Sequence, residues 1–226
     1  MKKNRLAYCY MSNNPAQWIK SNDSLYPIDG GDVFLLAQPP FREDFYHIGV
    51  ETTWIQYPKA DVTDWMGIRR DCLNVGDYEY YYIVDDDIIF TKESPAFIEK
   101  ALQYMDDNPL CGALYFCGTV GGMCTEQKVI RIEGGHLNTN RGILIRGGHA
   151  PFHDKFHFTG ACDDWALGLT KIMQGFYIAR YFMAPMDVRQ PTQLGRGSGT
   201  LTYDMEFIES ERGFLGNCMR ILSSPV

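Results

Sequence analysis

The chain has 226 residues, of which 45% are hydrophobic and 14% aromatic, and this composition excludes wholesale disorder. Its length fits one large domain with a full core, or at most two small ones. The formal net charge of −7 excludes the global basic field that dominates non-specific nucleic-acid binding.

Cysteine usage and the N-terminal segment bear on the compartment. The seven cysteines are an odd number spread along the chain, which favours reduced thiols in the cytoplasm. No apolar run approaches the roughly 18 residues of a membrane span. The charged N-terminus leads directly into a short strand, so we expect a cytoplasmic protein with neither a secretion signal nor a membrane span.

The first half of the chain alternates short strands with helices. Strands are predicted at residues 6–11, 32–38, 50–57 and 79–84, and helices at residues 62–75 and from Ser94 to about residue 107. This alternation predicts an α/β fold with a doubly wound, mainly parallel sheet flanked by helices. Ligands of such sheets bind beyond the carboxyl ends of the strands, where Ser12, Asn13 and the acidic residues 85–87 fall.

The second half is less regular and contains several glycine-rich turns. Strands are predicted at residues 111–117, 129–133 and 143–146, a helix at 163–174, a strand ending near 183 and a final helix at about 203–222. The chain contains no linker, repeat array or low-complexity segment. We therefore expect a single domain over residues 1–226.

Three consecutive carboxylates, Asp85, Asp86 and Asp87, follow an apolar strand and are themselves followed by apolar residues. Adjacent carboxylates repel one another, and a hard divalent cation with phosphate oxygens in its shell offsets such a charge. Because strand side chains alternate, we expect Asp85 and Asp87 on one side and Asp86 on the other. The pattern predicts a clamp for a metal ion and a diphosphate; the alternative is a solvated acidic turn.

Two other charged pairs lie at helix positions. Arg69 and Arg70 either contact an anionic ligand or belong to a solvated helix face. Asp163 and Asp164 either carry chemistry or act as N-terminal capping residues. A zinc site is disfavoured, because no Cys-x-x-Cys pair or diagnostic spacing accompanies the clustered histidines His136, His149, His153 and His157.

Three segments, in this order along the chain, resemble motifs of the GT-A type nucleotide-sugar glycosyltransferases. Residues 82–87 look like the DxD motif that ends a strand in that fold. Residues 67–77 are similar to the preceding stretch, in which an arginine approaches the donor nucleotide. Residues 162–169, with Gly175 after them, look like the acidic motif that opens a helix and supplies the base in inverting members. The resemblance extends from about residue 4 to about residue 185.

The resemblance implies a metal-dependent transfer of sugar from a nucleotide-diphosphate donor, with UDP-sugar as the expected donor. The nucleotide-binding half would span about residues 4–110 and the acceptor-binding half about 111–226. Mn²⁺ or Mg²⁺ would be held by Asp85 and Asp87, and the catalytic base would be Asp164, with Asp163 as a cap or acceptor contact. The donor would be bound by Ser12, Asn13, Arg69, Arg70, Asp85 and Asp86.

The chain departs from the family at one metal ligand. Many members place a histidine after the acidic helix, whereas no histidine follows His157 here. Asp187 lies roughly where that ligand would be. The metal is otherwise expected to be completed by the donor diphosphate and water.

The acceptor is suggested by a basic segment. Residues 128–157 hold five basic residues, among them Arg141 and Arg146, against two acidic ones, a formal charge of +3 in an acidic chain. A local basic face suggests an anionic acceptor, and the alternative is scattered surface charge. Residues 138–199 resemble small phage enzymes that glycosylate hydroxymethylated pyrimidines in DNA. The alternative acceptors are a cell-surface glycan and a small molecule.

Two other classes compete with a glycosyltransferase. A nucleotidyltransferase is disfavoured, because residues 10–14 after the first strand contain no glycine or lysine for a phosphate loop. A noncatalytic sugar-nucleotide binding protein is disfavoured, because a pure binder has little reason to hold three adjacent acids.

Overall fold

The computed structural model describes residues 4–12, 14–28, 31–37, 52–56, 69, 71–118, 126–132, 141–148, 163–188, 213–215 and 217–218. The strands and helices in chain order are β1 (Asn4–Ser12), α1 (Pro15–Ser24), β2 (Gly31–Ala37), β3 (Thr52–Gln56), β4 (Tyr78–Asp85), β5 (Ile88–Phe90), α2 (Ser94–Asp107), β6 (Cys111–Phe116), β7 (Val129–Arg131), β8 (Ile143–Arg146), α3 (Asp163–Met173), β9 (Tyr177–Tyr181) and β10 (Met186–Val188).

Eight of these strands form one sheet, in the order β3-β2-β1-β4-β8-β6-β9-β7. The strands β3, β2, β1 and β4 are parallel, as are β6 and β9, whereas β8 and β7 run antiparallel to their neighbours. The short strands β5 and β10 pair with each other as a separate antiparallel ribbon. The predicted α/β fold, a mainly parallel sheet flanked by helices in a single domain, is confirmed.

The central strands are apolar at successive positions because they are covered on both faces. Every residue of β1 from Leu6 to Ser12 is buried, and so are the residues of β4 from Tyr80 to Val84. On one face, alternate residues of these strands, including Tyr8, Tyr10 and Tyr82, pack in one cluster with Trp18 of α1 and Phe97 of α2. On the other face, Cys9, Met11 and Ile83 pack in one cluster with Cys72 and with Leu167 and Ile172 of α3.

The helix α1 was not predicted, because its sequence is polar and has a weak apolar stripe. Its start signals are nevertheless present. The side chain of Asn14 accepts a hydrogen bond from the backbone N–H of Gln17 at 3.3 Å, and Pro15 occupies the first turn. This helix returns the chain to the start of β2, so β1, α1 and β2 form a parallel crossover unit.

Two predicted helices are described only in part. Of residues 62–75, Arg69, Asp71 and Cys72 are helical, and the chain turns at residues 73–74. Of the final helix at about 203–222, residues 213–215 and 217–218 are helical and the others lie outside the described residues. Within the described ranges, no helix combines the length and apolar character needed to cross a membrane. The described cysteines are free thiols.

Arg146 holds together the edge of the sheet at which β4 begins. Its guanidinium donates to the carbonyl of Cys111 at 3.1 Å and to the hydroxyl of Tyr80 at 3.2 Å. It also donates to the carbonyls of Met105 and Asn108, at the end of α2. The last carbonyls of a helix have no partner within the helix, so Arg146 satisfies groups that would otherwise be left unpaired.

The prediction that Arg146 contributes to acceptor binding is therefore wrong, since its guanidinium is engaged in the fold. The hydroxyl of Tyr80 continues the network by donating to Asp106 at 2.5 Å, and Arg5 forms an ion pair with the same carboxylate at 3.1 Å. The backbone carbonyl of Arg146 accepts from Lys171 at 3.1 Å, which fixes the last turns of α3 to this edge.

Replacing Arg146 with Gln should lower the free energy of unfolding by about 2 kcal/mol or more, because several buried carbonyls lose their donor. The measurement is urea denaturation followed by circular dichroism. The control is Arg131→Gln on the exposed strand β7, where the guanidinium lies over the ring of Tyr177 at 5.0 Å. This control should cost less than about 1 kcal/mol. Equal losses in the two variants would contradict the assignment.

Candidate functional site

Ser12 and the three acids meet at the end of the sheet where the parallel strands β1 and β4 finish, called the acidic edge below. Ser12 ends β1, Asp85 ends β4, and the parallel register of these strands pairs Met11 with Asp85, which brings Ser12 beside Asp86. The chain moves outward from β1 to β2 and β3 and then returns to place β4 on the other side of β1. Strand order reverses here, and such switch points are where open α/β sheets bind ligands.

Asp86 is directed to Ser12. The Ser12 hydroxyl lies 2.5 Å from Asp86 Oδ2 and also accepts from the backbone N–H of Asn14 at 3.0 Å. Burial raises the pKa of Asp86 from 3.8 to about 7; the Ser12 contact opposes this increase, and the charges of Asp85 and Asp87 add to it. The second carboxylate of the triplet is thus tied to the end of β1.

Asp85 is directed to Arg69 instead. Their ion pair has an Nη2–Oδ1 distance of 3.7 Å, and the Arg69 side chain is 8% exposed whereas that of Asp85 is 47% exposed. The short helical segment that carries Arg69 is held against β1, because the thiol of Cys9 donates to the carbonyl of Cys72 at 3.4 Å. An arginine anchored in this way can contact a bound anion as well as Asp85.

The position of Asp87 differs from the expected strand alternation. β4 ends at Asp85, and Asp86 and Asp87 form a turn before β5, so strand alternation does not extend to Asp87. The separation of Asp86 from Asp85 does occur, through their different partners. Burial raises the pKa of Asp87, and its own backbone N–H partly offsets that increase.

The acids suit a hard divalent cation, with a limited number of protein ligands. Within the described ranges, no group of three His, Cys, Asp or Glu side chains is arranged to hold a metal ion. Asp85 and Asp87 supply carboxylate oxygens, the ligand type that Mg²⁺ and Mn²⁺ take together with substrate phosphates. Asp86 is already bonded to Ser12. The residues present therefore fit a cation whose coordination shell is completed by substrate oxygens and water.

The acidic start of α3 lies at the same end of the sheet as the triplet. Lys171, near the end of α3, contacts the opposite edge through Arg146, so the helix begins at the edge of the candidate site. Asp163 and Asp164 are the first two residues of this helix. Their side chains lie outside the described part of the structure, and so do Asn13, Arg70 and the four clustered histidines.

Asp187 lies on β10 and is paired with Ile89 of β5, two residues after Asp87. Its side chain is exposed, and its charge favours the protonated form of Arg141. Asp187 is thus beside the site, and the structure gives it an electrostatic partner that spacing alone did not indicate.

The fold resembles solved structures at low sequence identity. The structure of S. aureus TarS 1-349 aligns with a TM-score of 0.51 and 13% identity, over 79% of this chain and 60% of that one. TarS 1-349 in complex with UDP-GlcNAc aligns with a TM-score of 0.50 and 13% identity, over 84% of this chain and 60% of that one. This chain thus spans about 60% of the TarS fragment.

A second protein aligns over nearly its whole length. The structure of CMP:2-keto-3-deoxy-manno-octonic acid synthetase complexed with CTP has a TM-score of 0.53 and 12% identity, over 96% of this chain and 99% of that one. Neither a family model nor a curated protein sequence matches the chain. At these identities the likeness establishes the fold, which is GT-A-like.

Asp86→Asn should stabilise the metal-free protein at pH 8 relative to pH 5. A folded-state pKa of about 7 lies above the unfolded value of 3.8, so protonation of Asp86 stabilises the fold below about pH 4 and that contribution is lost as the pH rises through 7. The neutral amide of the Asn variant does not ionise, so the variant does not lose this stability as the pH rises. The gain at pH 8 should be at most a few kcal/mol, on the order of 1.4 per pKa unit.

The measurement is urea denaturation in chelator at pH 5 and pH 8. Asp107→Asn, which changes an exposed acid at the end of α2, is the control and should show no such dependence. A difference between Asp86→Asn and the unmodified protein that is the same at both pH values would refute the assigned pKa increase.

Proposed function

We propose that the chain is a metal-dependent glycosyltransferase that moves a sugar from a nucleotide-diphosphate sugar to an acceptor hydroxyl. The observation that carries the proposal is the meeting of Ser12, Arg69 and the acidic triplet at the switch point of a GT-A-like sheet. The UDP-GlcNAc complex of the TarS fragment supports a nucleotide-sugar donor, and UDP-sugar is the donor we propose.

The leaving group of such a transfer is a nucleoside diphosphate, whose developing negative charge has to be neutralised. Asp85 and Asp87 would hold a divalent cation, which would supply that neutralisation. Arg69 faces the same carboxylate end of β4 and would add a charge-assisted contact to the diphosphate, with Arg70 as the second candidate. Ser12 and Asp86 hold β1 and β4 together where the nucleotide would bind, and Asn13 is next in the chain.

Activation of the acceptor requires a base, and we assign that role to Asp164. An acceptor hydroxyl is a poor nucleophile until its proton is removed by a group within hydrogen-bond reach. Asp163 and Asp164 begin α3 at the edge of the site, and Leu167 and Ile172 anchor the helix to the sheet. Asp163 is assigned to capping or to orientation of the acceptor, since a carboxylate in the first turn interacts favourably with the helix N-terminus.

The acceptor we propose is anionic, with a hydroxymethylated pyrimidine of phage DNA as the leading candidate. Of the basic residues that suggested it, Arg146 is engaged in the fold, and Arg141 remains at the edge of the site. Modification of duplex DNA would require the target base to be flipped out or single-stranded. A cell-surface glycan or a small molecule is the alternative.

A nucleotidyltransferase is the second candidate, and the alignment with the CTP-bound synthetase over 96% of the chain favours it. The segment after β1 argues against it, since Asn14 and Pro15 there begin a helix and supply no glycine-rich, basic phosphate loop. The two functions differ in product: a glycosyltransferase releases a nucleoside diphosphate from a nucleotide sugar, whereas a nucleotidyltransferase releases pyrophosphate from a nucleoside triphosphate.

The proposal is tested with nucleotide sugars, CTP and UTP, each with and without Mn²⁺. A ligand that binds only the folded state raises the melting temperature. We expect a nucleotide sugar to do so in the presence of Mn²⁺ and to be slowly hydrolysed to the nucleoside diphosphate. Stabilisation by CTP together with pyrophosphate release, and no response to any nucleotide sugar, would replace the proposal with the second candidate.

Asp87→Asn should abolish metal-dependent nucleotide binding and leave the fold intact, because the amide removes a negative charge from the metal site. Binding of UDP in Mn²⁺ and in chelator is measured by calorimetry, and the fold by circular dichroism. Asp107→Asn is the matched control, since it removes one charge far from the site. Full activity in chelator, or an Asp87→Asn variant with unchanged binding, would exclude the metal role.

Asp164→Asn should lower the transfer rate by a factor on the order of a hundred or more and leave donor binding unchanged, because the amide cannot accept the hydroxyl proton. The rate is measured with saturating donor, and donor binding separately by calorimetry. Asp163→Asn, next to it on α3, is the comparison and should lose less. Transfer by Asp164→Asn at nearly the original rate would place the base elsewhere or indicate a retaining mechanism.

A further inference from the structure

Two arginines lie around Cys117 at the edge of the sheet that carries the acids. Arg180 belongs to β9 and is paired with Tyr115 of β6, the strand that leads to Cys117. Arg141 precedes β8. The Arg141 guanidinium lies beside Gly118, the residue after Cys117. The positive charges of both arginines lower the pKa of the Cys117 thiol, against a larger increase caused by burial.

Arg141 lies two residues before β8, at the end of the sheet where β4 finishes in Asp85. Ile83 of β4 pairs with Ile143 of the antiparallel β8. Asp85 lies two residues after Ile83, and Arg141 lies two residues before Ile143. The hydroxyl of Tyr82 donates to the backbone carbonyl of Arg141 at 2.6 Å and fixes this position. The backbone of Arg141 therefore lies at the same end of the paired strands β4 and β8 as Asp85.

Both arginines have donor groups without partners. Arg141 donates from Nη1 to the carbonyl of Ala184 at 3.1 Å, and its Nε is buried with no hydrogen-bond partner in the described structure. The Nε of Arg180 is also buried and has no partner there. Over the described ranges, neither guanidinium forms an ion pair with a carboxylate. Arg146 differs, since carbonyls and a hydroxyl occupy its guanidinium on all sides.

Gly118 provides the space in which Arg141 lies. A Cβ built on Gly118 would be 2.0 Å from Nη1 of Arg141 and 2.3 Å from its Cζ, so any side chain at this position would displace the guanidinium. Gly118 follows β6 and is buried. The backbone at the end of β6 is thus shaped to bring an arginine to this edge.

We propose that Arg141 and Arg180 form a binding site for an oxyanion, a phosphate or carboxylate group of a substrate held next to the acidic triplet. The proposal rests on the proposed function, because that function brings the substrate to this edge. A guanidinium binds such oxyanions through parallel N–H donors, and two guanidiniums that each keep an Nε–H without a partner provide charge and donors together. The anion belongs either to the donor diphosphate or to the acceptor.

The test measures binding of three probes by calorimetry: UDP with Mn²⁺, pyrophosphate without metal, and a single-stranded oligodeoxynucleotide. Arg141→Gln and Arg180→Gln should each weaken at least one probe about tenfold or more, since a charge-assisted contact is lost. Gly118→Ala should weaken the same probe with no change in net charge. Arg131→Gln is the charge-matched control and should bind as before, because the Arg131 guanidinium is directed to the ring of Tyr177 at the start of β9.

A loss for UDP or pyrophosphate assigns the site to the donor, and a loss for the oligonucleotide alone assigns it to the acceptor. The proposal is overturned if the unmodified protein binds no probe, if Arg131→Gln loses as much as Arg141→Gln, or if Gly118→Ala binds normally. Failure of the proposed function is distinguished by turnover: a protein that binds pyrophosphate through Arg141 and hydrolyses no nucleotide sugar retains the oxyanion site without the transferase.

Discussion

The repulsion between three adjacent carboxylates at the end of β4 is the constraint on which the arrangement of the site depends. The protein separates the three by giving them different surroundings: Asp86 turns to Ser12, Asp85 faces Arg69, and Asp87 lies in the turn. Each contact uses another segment of the chain, so β1 and the segment around Arg69 are drawn to the end of β4. The acids thereby organise the edge at which the two parallel crossovers diverge.

The two ends of the sheet differ in how their polar groups are hydrogen-bonded. At the edge where β4 begins, Arg146 and Asp106 satisfy polar groups from α2, β4 and β6. At the other edge, Asp86 has an increased pKa, and Arg141 and Arg180 keep buried donors without partners among the described residues. Natural proteins violate the rule of satisfied polar groups mainly at functional sites. The unpaired Nε–H donors of Arg141 and Arg180 agree with the oxyanion site proposed at the acidic edge.

Sequence alone was sufficient for the central strands, because strands buried on both faces are apolar at successive positions and β1 and β4 have that pattern. It missed α1, whose polar sequence lacks a clear stripe, although Asn14 and Pro15 mark its start. It misjudged Arg146, since the carbonyl partners of that side chain lie about 35 to 41 residues away and leave no local signal. The alternation expected for Asp87 failed because the strand had already ended.

The place of β8 in the sheet has a consequence for how the chain folds. This strand joins β4 to β6, although β4 precedes it by about 60 residues and β6 by about 30. Until it inserts, the edges of β4 and β6 have no partner on that side, and closing such long loops slows folding. Unpaired strand edges also pair with other chains. Aggregation during refolding is therefore expected to depend on how quickly this single four-residue strand is incorporated.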